Sequence, residues 1–176
     1  MIFLFFTAIL TPLSAQTIPT DFTDVVSQVE RINSMREQLA ATIPPQQTPT
    51  LDSFKAVCMP VGAELKALAA NRKWSIRQAA EKYRNPEHKA QTLEVEAISK
   101  FKKNPNLLSY FTTGQLQQQS GVFYFRRINV QKSCLKCHGQ KSQRPKFIVE
   151  KYKKDKAFDF KEGDLRAIYR IFVPHK

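Results

Sequence analysis

Cysteine and histidine are scarce in this 176-residue sequence, with three of each. That scarcity excludes most metal centres, because outside one short cluster no second Cys or His pair stands at the spacing a structural zinc site needs. Long hydrophobic runs are lacking as well: the N-terminal apolar stretch Ile2–Leu10 falls short of the roughly 20 residues that cross a bilayer. No internal repeat is visible, which excludes solenoids and propellers. Acidic residues are few, 15 against 28 Lys and Arg, and the formal net charge is +13. Such a balance suits an acidic protein, an anionic membrane surface or nucleic acid as partner.

The first fifteen residues carry no charged side chain, and Leu13-Ser14-Ala15 offers a cleavage site before Gln16. This reads as a signal peptide over 1–15, although its start lacks the usual Lys or Arg. The expectation is an exported chain in a periplasmic or thylakoid-lumen-like compartment, with no spanning segment after cleavage. Export makes nucleic acid an unfit partner; a solvated cationic surface, an anionic membrane surface and an acidic protein partner stay open, and an acidic protein is the expected partner.

What is present is concentrated in Cys134-Leu135-Lys136-Cys137-His138-Gly139. Cys-x-x-Cys-His is the attachment sequence of a c-type haem. Two thiols add across the two vinyl groups of one porphyrin, and the next residue, His138, is delivered under the iron. Gly139 can end the turn without a Cβ clash. A thioredoxin-like redox pair would follow a strand in an α/β pattern, and that pattern is missing. Cys134 and Cys137 are therefore expected to hold one haem c, with His138 as proximal ligand. Basic residues crowd this motif, among them Lys132, Lys136, Lys141 and Lys146.

The rest of the chain reads as helices first and strands later. Thr20 or Asp21 caps a first amphipathic helix with Phe22, Val25, Val26, Val29, Ile32 and Leu39 on one face. It stops at Ile43-Pro44-Pro45. Thr50 caps a second helix with Leu51, Phe54, Cys58, Val61, Leu65 and Leu68 on one face, kinked or interrupted at Pro60. A third long helix is expected from Asn85 with Pro86 at its first position, carrying Ala90, Leu93, Ala97, Ile98 and Phe101. Leu107–Thr113 and Val122–Val130 read as strands punctuated by Gly114 and Gly121, and Ala167–Val173 as a final strand. Helices before strands argue for an α+β fold with an antiparallel sheet. The domain division is 16–46 for the N-terminal helix and linker, and 47–176 for the haem-binding domain.

Beyond the haem motif, Ala56-Val57-Cys58, Tyr83-Arg84-Asn85-Pro86 with Glu96 and Phe101, Asp155-Lys156-Ala157, and Glu162-Gly163-Asp164-Leu165-Arg166 occur in order. On these the chain, from Leu51 to Pro174, resembles the exported haem c-binding domain with a PAS-like fold. That domain is found alone or as the sensory module of bacterial kinases and chemoreceptors. The resemblance implies an antiparallel sheet of about five strands flanked by helices, one covalent haem per chain, and a role in sensing or redox. No output segment follows Lys176, so this copy would be the module alone. Three departures stand out: Asp159-Phe160 replaces a glycine and an aromatic, Ala167 replaces a glycine, and His88 replaces an asparagine.

For the second axial position the residues offer Cys58, Met59, His88 and His175, the last two reading as surface histidines. Cys58 is the leftover of an odd cysteine count, and a buried structural cysteine is its plain alternative. The resemblance implies Cys58 as the distal ligand. The expected function is a redox or gas sensor module, not an enzyme, with an electron-transfer cytochrome as the alternative.

Overall fold

The computed structural model describes residues 20–44 and 46–175, so the expected leader over 1–15 lies outside the described residues. Five α-helices and four strands are arranged as α1 (Thr20–Ala41), α2 (Leu51–Arg72), β1 (Ser75–Ala79), α3 (Thr92–Lys103), β2 (Ser109–Leu116), β3 (Gln119–Asn129), α4 (Leu135–His138), α5 (Lys146–Lys151) and β4 (Leu165–Pro174). The strands form one antiparallel sheet in the order β1-β4-β3-β2. The α+β expectation holds. Four strands, against the about five that the resemblance implies, are found among the described residues; between Gly139 and β4 the chain forms one 3-10 turn, Lys141–Gln143, and α5.

Helices cover both faces of the sheet. Val25, Val29 and Ile32 of α1 and Val61, Leu65 and Leu68 of α2 pack on Tyr124, Ile128, Tyr169, Ile171 and Val173. Ala97, Ile98 and Phe101 of α3 pack on Phe123, Phe125, Ile168 and Phe172. This explains why β3 and β4 read as nearly continuous apolar runs, since neither face meets water. Each fully buried Ile or Phe contributes about 1.5–3 kcal/mol. The N-terminal helix thus shares one core with the sheet. Arg126 of β3 grips Glu30 of α1 through both guanidinium arms at 2.9 Å.

Several local expectations need correction. Thr50 does cap α2, with a reciprocal bond to Ser53, but the helix runs on through Pro60, and Leu51 faces solvent. Asn85 caps only a single 3-10 turn, Pro86–His88, its Oδ1 accepting from Glu87 N at 3.2 Å. The chain then extends and bonds Ala80 twice, Ala80 N to His88 O at 2.8 Å and Ala90 N to Ala80 O at 3.0 Å. α3 starts later, where Glu94 reaches back to Gln91 N at 2.7 Å. Glu94, 2% exposed, also receives Arg77 at 2.9 Å and Arg170 at 3.1 Å. These partners offset the cost of burying its charge; Glu96, by contrast, is exposed, as is Leu93.

Gly114 and Gly121 do not make the turn. They face each other inside the β2–β3 ladder, and the hairpin turns at Gln117–Gln118, both with positive φ. A Cβ at Gly121 would stand 2.3 Å from the Val173 carbonyl oxygen and 2.6 Å from the Phe172 ring. Close approach of the neighbouring strand sets this glycine.

Candidate cofactor site

The Cys-x-x-Cys-His stretch leaves β3 through a 3-10 turn, Lys132–Cys134, and winds directly into α4. Cys134 N donates to Gln131 O at 2.9 Å, and Gly139 N donates to Leu135 O at 2.7 Å. This compact turn brings both thiols and the imidazole to one wall. A Cβ on Gly139 would lie 2.5 Å from Leu135 O, so glycine is required where the turn ends.

The His138 imidazole is fixed from behind. Its Nδ1 lies 2.8 Å from the Ala157 carbonyl oxygen. A carbonyl only accepts, so Nδ1 carries the proton and Nε2 keeps its lone pair for a metal. The Arg84 Nη2 at 3.2 Å from the same nitrogen is then a close contact between two donors, and its hydrogen bond goes to Cys137 O at 2.6 Å. Burial, then the nearby Arg166 and Arg84 guanidiniums, push His138 well below the usual histidine range, so the ring is neutral. Asp155 organises the support: its carboxylate takes Arg84 at 3.5 Å and Arg144 at 2.9 Å, and accepts from Ala157 N at 2.9 Å. Two further backbone bonds, Asp159 N to Gly139 O and Phe160 N to His138 O, clamp the loop onto the motif. Asp159 holds φ of 56°, the left-handed region that glycine favours. The resemblance implies a glycine here, which suits such a backbone. Here Asp159 Oδ1 accepts from Lys141 N at 2.9 Å instead.

Cys134, Cys137, His138 and Cys58 border one cavity of about 340 Å³, in the size range of small-molecule and cofactor pockets. Phe54, Val57 and Val61 of α2 and Ile128 supply apolar wall, suited to a planar apolar ring system. Cys58 is open to the cavity although protein surrounds it, and burial pushes its thiol up, with Arg84 countering. Burial likewise pushes Cys137 up to about 11. The three cysteines are free thiols, as addition to vinyl groups needs.

Of the other axial candidates, Met59 is 60% exposed and stands off the cavity, and His175 is exposed and also off it. His88 is exposed, as read, and also borders the cavity. Arg36, Arg84 and Arg166 border it too. Arg84 and Arg166 belong to motifs visible in the sequence, yet nothing in the residue pattern tells which way their guanidiniums turn. Arg36 gives no signal on its amphipathic helix; its Nη1 lies 3.9 Å from Cys134 Sγ. Among the flanking lysines, Lys136 is committed internally, bonding the Pro44 carbonyl and, at 2.9 Å, that of Gln47. Lys132, Lys141 and Lys146 remain exposed. No helix among the described residues is long and apolar enough to cross a membrane.

A family model described as "Tll0287-like: Tll0287" matches residues 21–174. Among solved structures, the crystal structure of the cyanobacterial heme-protein Tll0287 is 45% identical, with a TM-score of 0.81; the match covers 91% of this chain and 98% of that one. No curated protein matches the chain.

Proposed function

The chain belongs to the Tll0287-like family, and from that premise we propose that it is an exported c-type haem protein with a PAS-like fold, acting as a redox or gas sensor module. The observation that carries this is the His138 arrangement: an imidazole whose Nδ1–H is taken by Ala157 O at 2.8 Å, flanked by two free thiols on a shared cavity. Cys134 and Cys137 would form the thioethers, His138 would ligate through Nε2, and Cys58 is the distal donor. Bound haem supplies a one-electron centre switching between ferric and ferrous iron. The chain's own residues do the rest. Ala157, Arg84 and Asp155 orient the proximal imidazole, and the apolar face of α2 keeps bulk water from the site. Cys58 lies on α2, which packs against α1 and the sheet, so a change in its bonding has a path to the surface. The signal peptide over 1–15 and the exported location belong to this proposal, as does a non-enzymatic role.

Expression with export and haem-ligation machinery should give a product that stays red through acid–acetone extraction. Replacing Cys134 and Cys137 together by Ala should abolish attachment. Release of all colour from the unmodified protein would overturn the proposal. The electron-transfer alternative rests on the exposed Lys132, Lys141 and Lys146 and the +13 charge. Rapid electron exchange with a soluble acidic donor would favour it.

A further inference from the structure

Arg166 leaves the start of β4 and puts its guanidinium on the cavity wall. Its single hydrogen bond among the described residues runs from Nη1 to Lys82 O at 3.0 Å. Phe160 lies against it, ring centre 5.5 Å from Cζ. Every other cavity-side arginine has a fixed partner: Arg84 has Asp155, and Arg36 has Glu37 at 3.0 Å. Arg166 joins no ion pair among the described residues, and burial, followed by repulsion from Arg84, lowers it to about 10. A half-buried guanidinium with open donors and a cationic neighbour is costly unless an anion sits beside it.

His88 stands with it on the same wall. The backbone of this residue is pinned, His88 O accepting from Ala80 N at 2.8 Å, while its ring makes no hydrogen bond among the described residues. Both residues line the one cavity, and burial, then the Arg166 and Arg77 guanidiniums, lower the His88 pKa, with Glu87 acting against them. Their position therefore gathers a fork of N–H donors and an imidazole N–H; Asp155 acts on Arg166 and Glu87 on His88 from a distance, but neither side chain bonds a carboxylate among the described residues. Arginine forks match carboxylates geometrically.

We propose that Arg166 and His88 form a carboxylate-binding subsite in the cavity, and that it takes a propionate side chain of the haem. This rests on the haem reading above. Haem carries two carboxylates at its edge, and one of them supplies the missing partner of Arg166. No covalent change is involved: the propionate is held ionised by the guanidinium, with His88 donating a second hydrogen bond.

The test uses purified, haem-loaded protein. Haem content is measured first by pyridine haemochrome, so a colourless wild type fails the haem reading and not this subsite. The reduction potential is then followed from pH 4 to 9. Ionisation of a propionate makes the potential fall with rising pH, because the anion favours ferric iron. With Arg166 present, that fall should lie at the acid end of the range. Arg166→Leu should move it upward by about one to three pH units, the size of shift an adjacent cation imposes on a carboxyl. Arg166→Lys, which keeps charge and fold, should fall between the two, and His88→Ala should move it the same way by less. If Arg166→Leu does not accumulate, Arg166→Gln serves in its place. Curves for the neutral variants that superimpose on wild type, with haem content equal, would overturn the subsite.

Discussion

His138 donates its Nδ1 proton to the carbonyl of Ala157 at 2.8 Å. This one bond links a four-residue helix after β3 to the loop before β4, and it decides which ring nitrogen faces the cavity. Asp155 pins that loop through Arg84 and Arg144, so the orientation of the ring nitrogen that faces the cavity depends on an ion-pair network whose members all lie outside the motif.

Cys58 should be the distal ligand of the loaded protein. Burial pushes its thiol up, so without a metal it stays protonated at neutral pH; ferric iron supplies the charge that holds a thiolate. Cys58→Ala and Cys58→Ser should both remove the thiolate signature from the ferric EPR spectrum. Each should raise the reduction potential by on the order of tens of millivolts. Wild-type spectra from both variants would return Cys58 to the structural residues.

The haem-free chain should lose stability as pH falls below the ordinary histidine value. His138 and His88 are both lowered in the folded state, chiefly by burial. Below about pH 6.5 the unfolded chain therefore binds more protons than the folded one, and unfolding free energy drops with pH. Urea midpoints of the Cys134→Ala, Cys137→Ala protein should be lower at pH 5.5 than at 7.5. Adding His138→Asn should flatten that difference; an unchanged slope would mean His138 is protonated in the fold.

Gly121→Ala should destabilise the protein by about 1–3 kcal/mol, the usual cost of forcing atoms into a packed site. The added methyl meets the Val173 backbone and the Phe172 ring. Gly62→Ala is the control, because a Cβ there meets nothing within 4 Å. Equal urea midpoints for the two variants would refute the close-approach account.

Association with an acidic redox partner should slow as salt rises, since the Debye length falls from about 10 Å at 0.1 M to about 3 Å at 1 M. Charge removal at Lys132, Lys141 and Lys146 should weaken that dependence. Lys136→Gln should instead lower thermal stability, because Lys136 ties the segment between α1 and α2 to the motif. A salt-independent rate would reduce these lysines to a solubilising surface.

Much of this architecture is legible in the residues. The α1 stripe, the Thr50 cap and the alternation of Ala167 to Val173 all appear as read, because they follow from local periodicity and capping chemistry. The cysteine–histidine spacing marks the site for the same local reason. What fails is tertiary. Asn85-Pro86-Glu87 has every mark of a helix start, yet Ala80 captures the following backbone and the helix waits until Gln91. Gly114 and Gly121 read as turn residues, but they answer to rings on neighbouring strands. His88 is visible in the sequence only as a departure and as one axial candidate among four, and only the folded chain brings it to the cavity that Cys58 and His138 share.

β4 has a consequence for the order of assembly. It pairs with β1 on one side and β3 on the other, so the sheet has no centre until Leu165–Pro174 arrives. Pairing strands so far apart in sequence carries a large loop-closure entropy and is slow. In a chain that emerges N-terminus first, Cys134 and Cys137 are delivered before that keystone strand. The thiols therefore stand for an interval on an open chain, and β4 closes the wall behind them afterwards.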